Sequence, residues 1–428
     1  MSFEGAPDIT ARSWFGQPRG LSVLFLTEMW EKFSFYGMRA MLVYYMTRQL
    51  MLGQQHASLV YGLYTGFVFF TPIIGGAIAD RWLGKRKAVI LGGSIMALGH
   101  FMMTFEPLLY PALAAIAIGN GFFLPSLPSQ IGGLYAPDDP RRGSAYNVYY
   151  VGVNLGAFLA PLVCGTLGET LGWHYGFAAA GIGMLAGLAV YILGGRYLPP
   201  EPPRRAAEPA KQRAAGGLRW VWLLLGVGLT VVVFRSAYEQ MGNTLALWAD
   251  EGISRAVAPG LTIPMTWFQS LNPLLVFLLT PVLVALWTRR AAKGREPGDL
   301  MKMATGAAVV GAAYLMLAAV AAVNGGEKAS WLWLVLFFVL YTLGELYILP
   351  VGLGLFARSA PAGHGATTIA AWFFAAFAGN LLAGLLGSLW SVAGPPRFFT
   401  LMAAILLGAA LLLRILDVAV ARKAAGTG

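Results

Sequence analysis

From Gly20 to Ala421 the chain is a train of apolar runs, each long enough to cross a bilayer, separated by short polar loops. A helix rises about 1.5 Å per residue and the hydrocarbon layer is about 30 Å thick, so roughly twenty apolar residues make one span. Twelve such segments are predicted, at 20–48, 57–80, 87–105, 109–135, 144–167, 172–195, 218–249, 264–288, 299–323, 331–357, 365–391 and 397–421. In lipid every backbone N–H and C=O needs an internal partner, which leaves helices or closed barrels. Runs of this length and composition are helices. The fold class is therefore all-α and integral to a membrane.

Composition agrees. Of 428 residues, 57% are hydrophobic and 11% charged, against roughly 25% charged in soluble domains. The 54 glycines suit helices that pack closely in lipid. The net charge of +11 comes from basic residues scattered through short loops, which orients a membrane protein and does not make a nucleic-acid patch. Arg81, Lys85, Arg86 and Lys87, then Arg141 and Arg142, then Arg289, Arg290, Lys293 and Arg295 fall on one side. The other side carries little beyond Arg48, Arg255, Lys328 and Arg397, so both termini are expected in the cytoplasm. The N-terminus does not resemble a cleaved signal peptide. Cys164 is the single cysteine, which excludes an intrachain disulfide and a multi-cysteine metal site. Four dispersed histidines suggest no metal, and no phosphate loop or nucleophile elbow is present, so neither an ATP-driven pump nor an enzyme is expected, and no cofactor.

Residues 198–217, rich in Pro, Ala and charge, read as a cytoplasmic linker between an N-terminal bundle (1–197) and a C-terminal bundle (218–428). Two six-helix bundles joined by a basic linker is the layout of the major facilitator superfamily, whose binding site is expected near the membrane midplane between the halves. The stretch GAIADRWLGKR from Gly76 to Arg86 resembles that superfamily's signature between helices 2 and 3. Asp80 and Arg81 are the gating candidates there.

Charges in the first segment are the most costly feature. EMWEKFSFYGMR, from Glu28 to Arg39, places Glu28, Glu31, Lys32, Phe35 and Arg39 within roughly 100° of one helix face, over about 16 Å of rise. Each lone charge at bilayer depth costs at least about 2.5–3.5 kcal/mol, so these groups must face partners or a wet cavity. The motif resembles ExxERFxYYGMR of the proton-dependent oligopeptide transporters. Four further stretches resemble the same family: YYVGVNLG (Tyr149–Gly156), WFQSLNP (Trp267–Pro273), GELYILPVGL (Gly344–Leu353) and the Trp372/Phe373 and Gly379/Asn380 pairs.

The resemblance implies a symporter that imports di- and tripeptides with protons by alternating access. A short peptide is a zwitterion, and the residue types suit one. Arg39 offers a guanidinium fork for a carboxylate, and Glu345 offers an anion for the amine. Asn154 and Asn272 can each donate and accept along an amide backbone, although membrane asparagines also serve as helix glue. Tyr36 and Trp372 add ring faces with polar tips. Glu28, Glu31 and Lys32, at i, i+3 and i+4, form a proton-coupling set in which the acids titrate together. Glu239 is the second acid. The resemblance implies a bond from it to Arg39 that closes the outer gate, whereas the spacing equally allows a local i,i+4 pair with Arg235.

Departures from the family pattern are Leu124 where a helix 4 lysine is usual, Lys32 for an arginine, Phe35 for a tyrosine and Phe69 for a helix 2 tyrosine. They leave open a transporter of another small solute (an anion or a modified amino acid) with weakened proton coupling, or a non-transporting membrane sensor. Expected partners are peptides, protons and the lipid bilayer, with no nucleic acid. A monomer in a bacterial inner membrane is expected.

Overall fold

The computed structural model describes residues 12–14, 16–136, 139–201, 218–358 and 365–425. The expected linker therefore lies, apart from 198–201, outside the described residues. Twelve described α-helices have eighteen residues or more: α1 (Arg19–Tyr44), α2 (Gln54–Ile78), α3 (Lys85–Met102), α4 (Leu109–Ser126), α5 (Arg141–Ala160), α6 (Trp173–Leu193), α7 (Leu218–Tyr238), α8 (Leu271–Ala291), α9 (Asp299–Val323), α10 (Leu332–Arg358), α11 (Gly365–Gly387) and α12 (Pro395–Ala425). Ten are, with their flanking turns, long and apolar enough to cross a membrane. The other two are α1, with Glu28, Glu31, Lys32 and Arg39, and α3, which opens on Lys85, Arg86 and Lys87.

The chain forms two compact units. Of the described residues, one takes those up to Leu42 and those from Phe70 to Glu201; the other takes Val43–Phe69 and those from Leu218 onward. The hairpin that ends α1 and starts α2 thus belongs with the C-terminal helices, which the sequence did not announce.

In the first unit, glycines set how closely helices approach α1. A Cβ on Gly156 of α5 would lie 2.1 Å from the Met29 carbonyl oxygen, and one on Gly152 would lie 2.9 Å from that of Phe25. Across α1, a Cβ on Gly183 of α6 would meet the Phe33 ring at 2.6 Å. Ser34 Oγ donates to Ala180 O at 2.7 Å. Backbones approach this closely only where side chains are absent. Arg86, at the start of α3, donates to the carbonyls of Gly195, Leu198 and Pro199 beyond α6, and its own N–H donates to Glu201 Oε1 at 2.6 Å.

In the second unit, the predicted helix over 218–249 is broken. It leaves α-geometry at Glu239, runs as a tight turn through Gly242, and restarts as Thr244–Glu251 after Asn243 (φ −115°, ψ −100°). Carbonyls freed at such a break need partners. Tyr314 OH donates to Ala237 O at 2.9 Å and Tyr341 OH to Tyr238 O at 2.8 Å. The hairpin tip packs beside this break: Ser58 Oγ donates to Asn243 Oδ1 at 2.8 Å, and Gln54 Nε2 to Gly387 O at 2.9 Å. Gly62 of α2 lies against Gly384 of α11 so closely that a Cβ on Gly62 would sit 2.4 Å from the Gly384 Cα.

Candidate functional site

In the first unit the charged set on α1 is buried and assembled. Glu28 and Glu31 are 2% and 0% exposed, and Lys32 Nζ lies 2.7 Å from Glu31 Oε2 and 3.3 Å from Glu28 Oε1. Two acids therefore share one base, and Glu31 Oε1 is buried with no hydrogen-bond partner among the described residues. Tyr149 of α5 is an electrostatic neighbour of both acids, brought there by the glycine contacts at Gly152 and Gly156. The sequence signal for Tyr149 was its place in the YYVGVNLG motif, one helical turn before Gly152.

Arg39 lies two turns further along α1, buried, with its guanidinium 5.9 Å from the Tyr36 ring centroid. Phe35 and Tyr36 meet edge to face at 5.2 Å. Asn154 is buried on α5 and its amide donates to Tyr150 O, one turn back, at 3.0 Å. Asp80 and Arg81 lie in the turn that ends α2, where Arg81 is exposed and stacks over Trp82 at 5.6 Å.

The second unit holds the other candidates. Asn272 of α8 donates to Glu345 Oε2 at 2.5 Å and to Thr342 Oγ1 at 3.1 Å, so α8 and α10 present one joined polar group. Trp372 of α11 is buried against α10: a Cβ on Gly352 would lie 2.6 Å from its ring, and Phe356 meets it edge to face at 5.3 Å. Glu239 is buried and accepts from Arg235 Nη2 at 2.6 Å, the local pair that the four-residue spacing allowed. Arg235 in turn stacks on Phe69 of α2, with its guanidinium carbon 4.5 Å from the ring centroid. At the hairpin tip, Arg48 and Arg255 both pair with buried Asp250, Arg255 at 3.2 Å. Sequence reasoning missed Asp250, whose only signal was an acid ending an otherwise apolar helix.

Fold and charges define a polytopic helical membrane protein that keeps ionisable groups inside its bundles, as transporters do and scaffolds have no reason to. Comparison with known proteins narrows the class. The model of the POT family, PTR2, matches residues 86–213 and 204–395. The peptide transporter YePEPT of Yersinia enterocolitica is 33% identical over 457 residues, covering 88% of each chain. A di-/tripeptide transporter of Lactococcus lactis subsp. cremoris is 31% identical over 469 residues, covering 92% of this chain and 93% of that one. Among solved structures, the peptide transporter POT in complex with sulfate superposes with a TM-score of 0.91 at 29% identity, over 97% of this chain and 98% of that one. A POT family transporter in complex with 5-aminolevulinic acid superposes with a TM-score of 0.88 at 25% identity, over 95% of this chain and 98% of that one. This chain belongs to the POT family.

Proposed function

We propose that the protein is a proton-coupled symporter that imports di- and tripeptides by alternating access, with α1 and α3 also spanning the membrane to make twelve spans in two six-helix bundles. The observation that carries this reading is the buried set of two acids on one base, Glu28, Glu31 and Lys32. Its formal charge is −1, and a proton is the smallest species that neutralises it. A purely structural ion pair needs one acid. The relatives named above are peptide transporters, which supports the cargo.

Arg39 takes the peptide carboxylate and Glu345, held by Asn272, takes the ammonium; Tyr36, Asn154 and Trp372 complete the contacts. Glu239 is a second proton acceptor, and Asp80, Arg81, Arg39 and Glu239 serve the gates. Coupling requires these charges to have different partners in different states, because only differential affinity moves a conformational equilibrium. The protein acts as a monomer in a bacterial inner membrane with both termini cytoplasmic. Reconstitution into vesicles with labelled dialanine and an imposed pH gradient tests the reading. Gradient-dependent accumulation with lumen acidification is expected; the absence of both, with intact protein in the vesicles, refutes it.

A further inference from the structure

Arg235 is a cation that the proton and peptide roles above do not use. It is buried on α7, with a side chain 8% exposed, and it is held in a built pocket. Phe69 lies 4.5 Å under the guanidinium, and the Tyr238 ring lies 5.9 Å away. Gly379 of α11 leaves room for it: a Cβ there would lie 2.7 Å from the Arg235 Cβ. A guanidinium recognises carboxylates best along its side edge, where Nε–H and Nη2–H run parallel. Here Nη2 donates to Glu239 Oε1 at 2.6 Å, while Nε is buried with no partner among the described residues. Half of a bidentate edge is thus in use. An unmet donor on a buried cation is unfavourable, so the arrangement favours a better acceptor than Glu239 provides in this geometry.

We infer that Arg235 is a second carboxylate-recognising residue of the transport site, which exchanges Glu239 for a carboxylate of the cargo. The inference rests on the peptide-transport reading and extends it to specificity. Phe69 lies against the guanidinium without taking a donor, so the buried Nε–H stays unpaired among the described residues beside the Nη2 that Glu239 uses. Glu345 and Asn272 belong to the same unit, so this unit alone carries an acid and a base of the signs that a zwitterion or an acidic side chain requires.

Two sources could supply the carboxylate: an acidic side chain, or the C-terminus that every peptide has. Equilibrium affinities of purified full-length protein for two pairs of peptides separate them, Ala-Asp against Ala-Asn and Ala-Ala against Ala-Ala-amide. In the wild type the acid of each recognised pair binds at least about tenfold tighter, as charge-assisted bonds to arginine imply. Arg235→Gln collapses that ratio towards one in the pair that Arg235 reads. Arg235→Lys, which keeps the charge and loses the fork, lowers the ratio part of the way and serves where the glutamine variant does not fold. Glu239→Gln removes the competing carboxylate and raises the ratio. Collapse in the first pair assigns the side chain; collapse in the second assigns the terminus. Ratios that Arg235→Gln and Arg235→Lys leave unchanged in both pairs, or a wild type that binds Ala-Ala without discriminating in either pair, overturn the inference alone. A wild type that binds none of the four overturns the peptide reading with it.

Discussion

Neutralising Glu31 should uncouple the transporter without stopping it. Lys32 Nζ is 2.7 Å from Glu31 and 3.3 Å from Glu28. At an effective dielectric constant of about 20 these separations correspond to roughly 6 and 5 kcal/mol of Coulomb attraction. The difference, about 1 kcal/mol, favours Glu31 less than tenfold, so the cation serves both acids. The set as a whole carries −1, and binding one proton brings it to zero. Glu31→Gln reaches zero with no proton, so this set no longer senses pH and can no longer tie peptide movement to it, while the Glu28–Lys32 pair persists. Each transported proton is worth about 1.36 kcal/mol per pH unit, which limits accumulation to about tenfold per unit per proton. In proteoliposomes under a gradient of one unit, the wild type should concentrate labelled dialanine towards that limit. The variant should stop at a ratio of about one, yet still exchange labelled for unlabelled dialanine when both sides are loaded. Accumulation by the variant to the wild-type level would refute the charge count. Equal loss of exchange and accumulation would show instead that Glu31 supports structure or binding.

Three further outcomes follow from named contacts. Arg39→Lys should lower dialanine uptake by about tenfold or more, because an ammonium cannot make the paired bonds of a fork; wild-type uptake would remove Arg39 as the carboxylate clamp. Asn272→Leu deletes the donor 2.5 Å from Glu345 and should weaken peptide affinity by about 1.5–3 kcal/mol, read from the concentration dependence of counterflow. An unchanged half-saturation concentration would show that Asn272 does not support the Glu345 site. Gly62→Ala puts a Cβ 2.4 Å from Gly384 Cα and 2.6 Å from its N, both backbone, so α2 and α11 must separate. A loss of about 1–3 kcal/mol is expected, seen as a lower midpoint of thermal unfolding in detergent; an unshifted midpoint would contradict this packing.

Much of the candidate site was legible before any coordinates. Glu28, Glu31 and Lys32 could be placed on one face because helical periodicity needs only sequence spacing. Their burial followed from the cost of charge in lipid. The pairing of Asn272 with Glu345 was harder: 73 residues separate them, and their contact depends on how α8 meets α10. Asn154 shows the limit from the other side. Its type suited a peptide amide, and the sequence did not say that its amide also donates to Tyr150 O on its own helix. A side chain with both donor and acceptor satisfies whatever backbone group is nearest.

By itself the sequence determined the class, the run of long apolar helices and the buried charges of α1. Each of these follows from local rules: run length against bilayer thickness, period against face, charge against desolvation. Tertiary structure alone decided three things. It grouped the hairpin Val43–Phe69 with the C-terminal helices, through the Gly62–Gly384 approach and the Ser58–Asn243 bond. It broke the helix predicted over 218–249 at Glu239–Asn243, where Tyr314 and Tyr341 supply the hydroxyls that a break in apolar surroundings demands. It also laid the guanidinium of Arg235, which pairs with Glu239 four residues on, against the Phe69 ring. Apolar helices in lipid have no hydrophobic gradient to tell one neighbour from another, so close glycine contacts and long-range hydrogen bonds settle which faces meet.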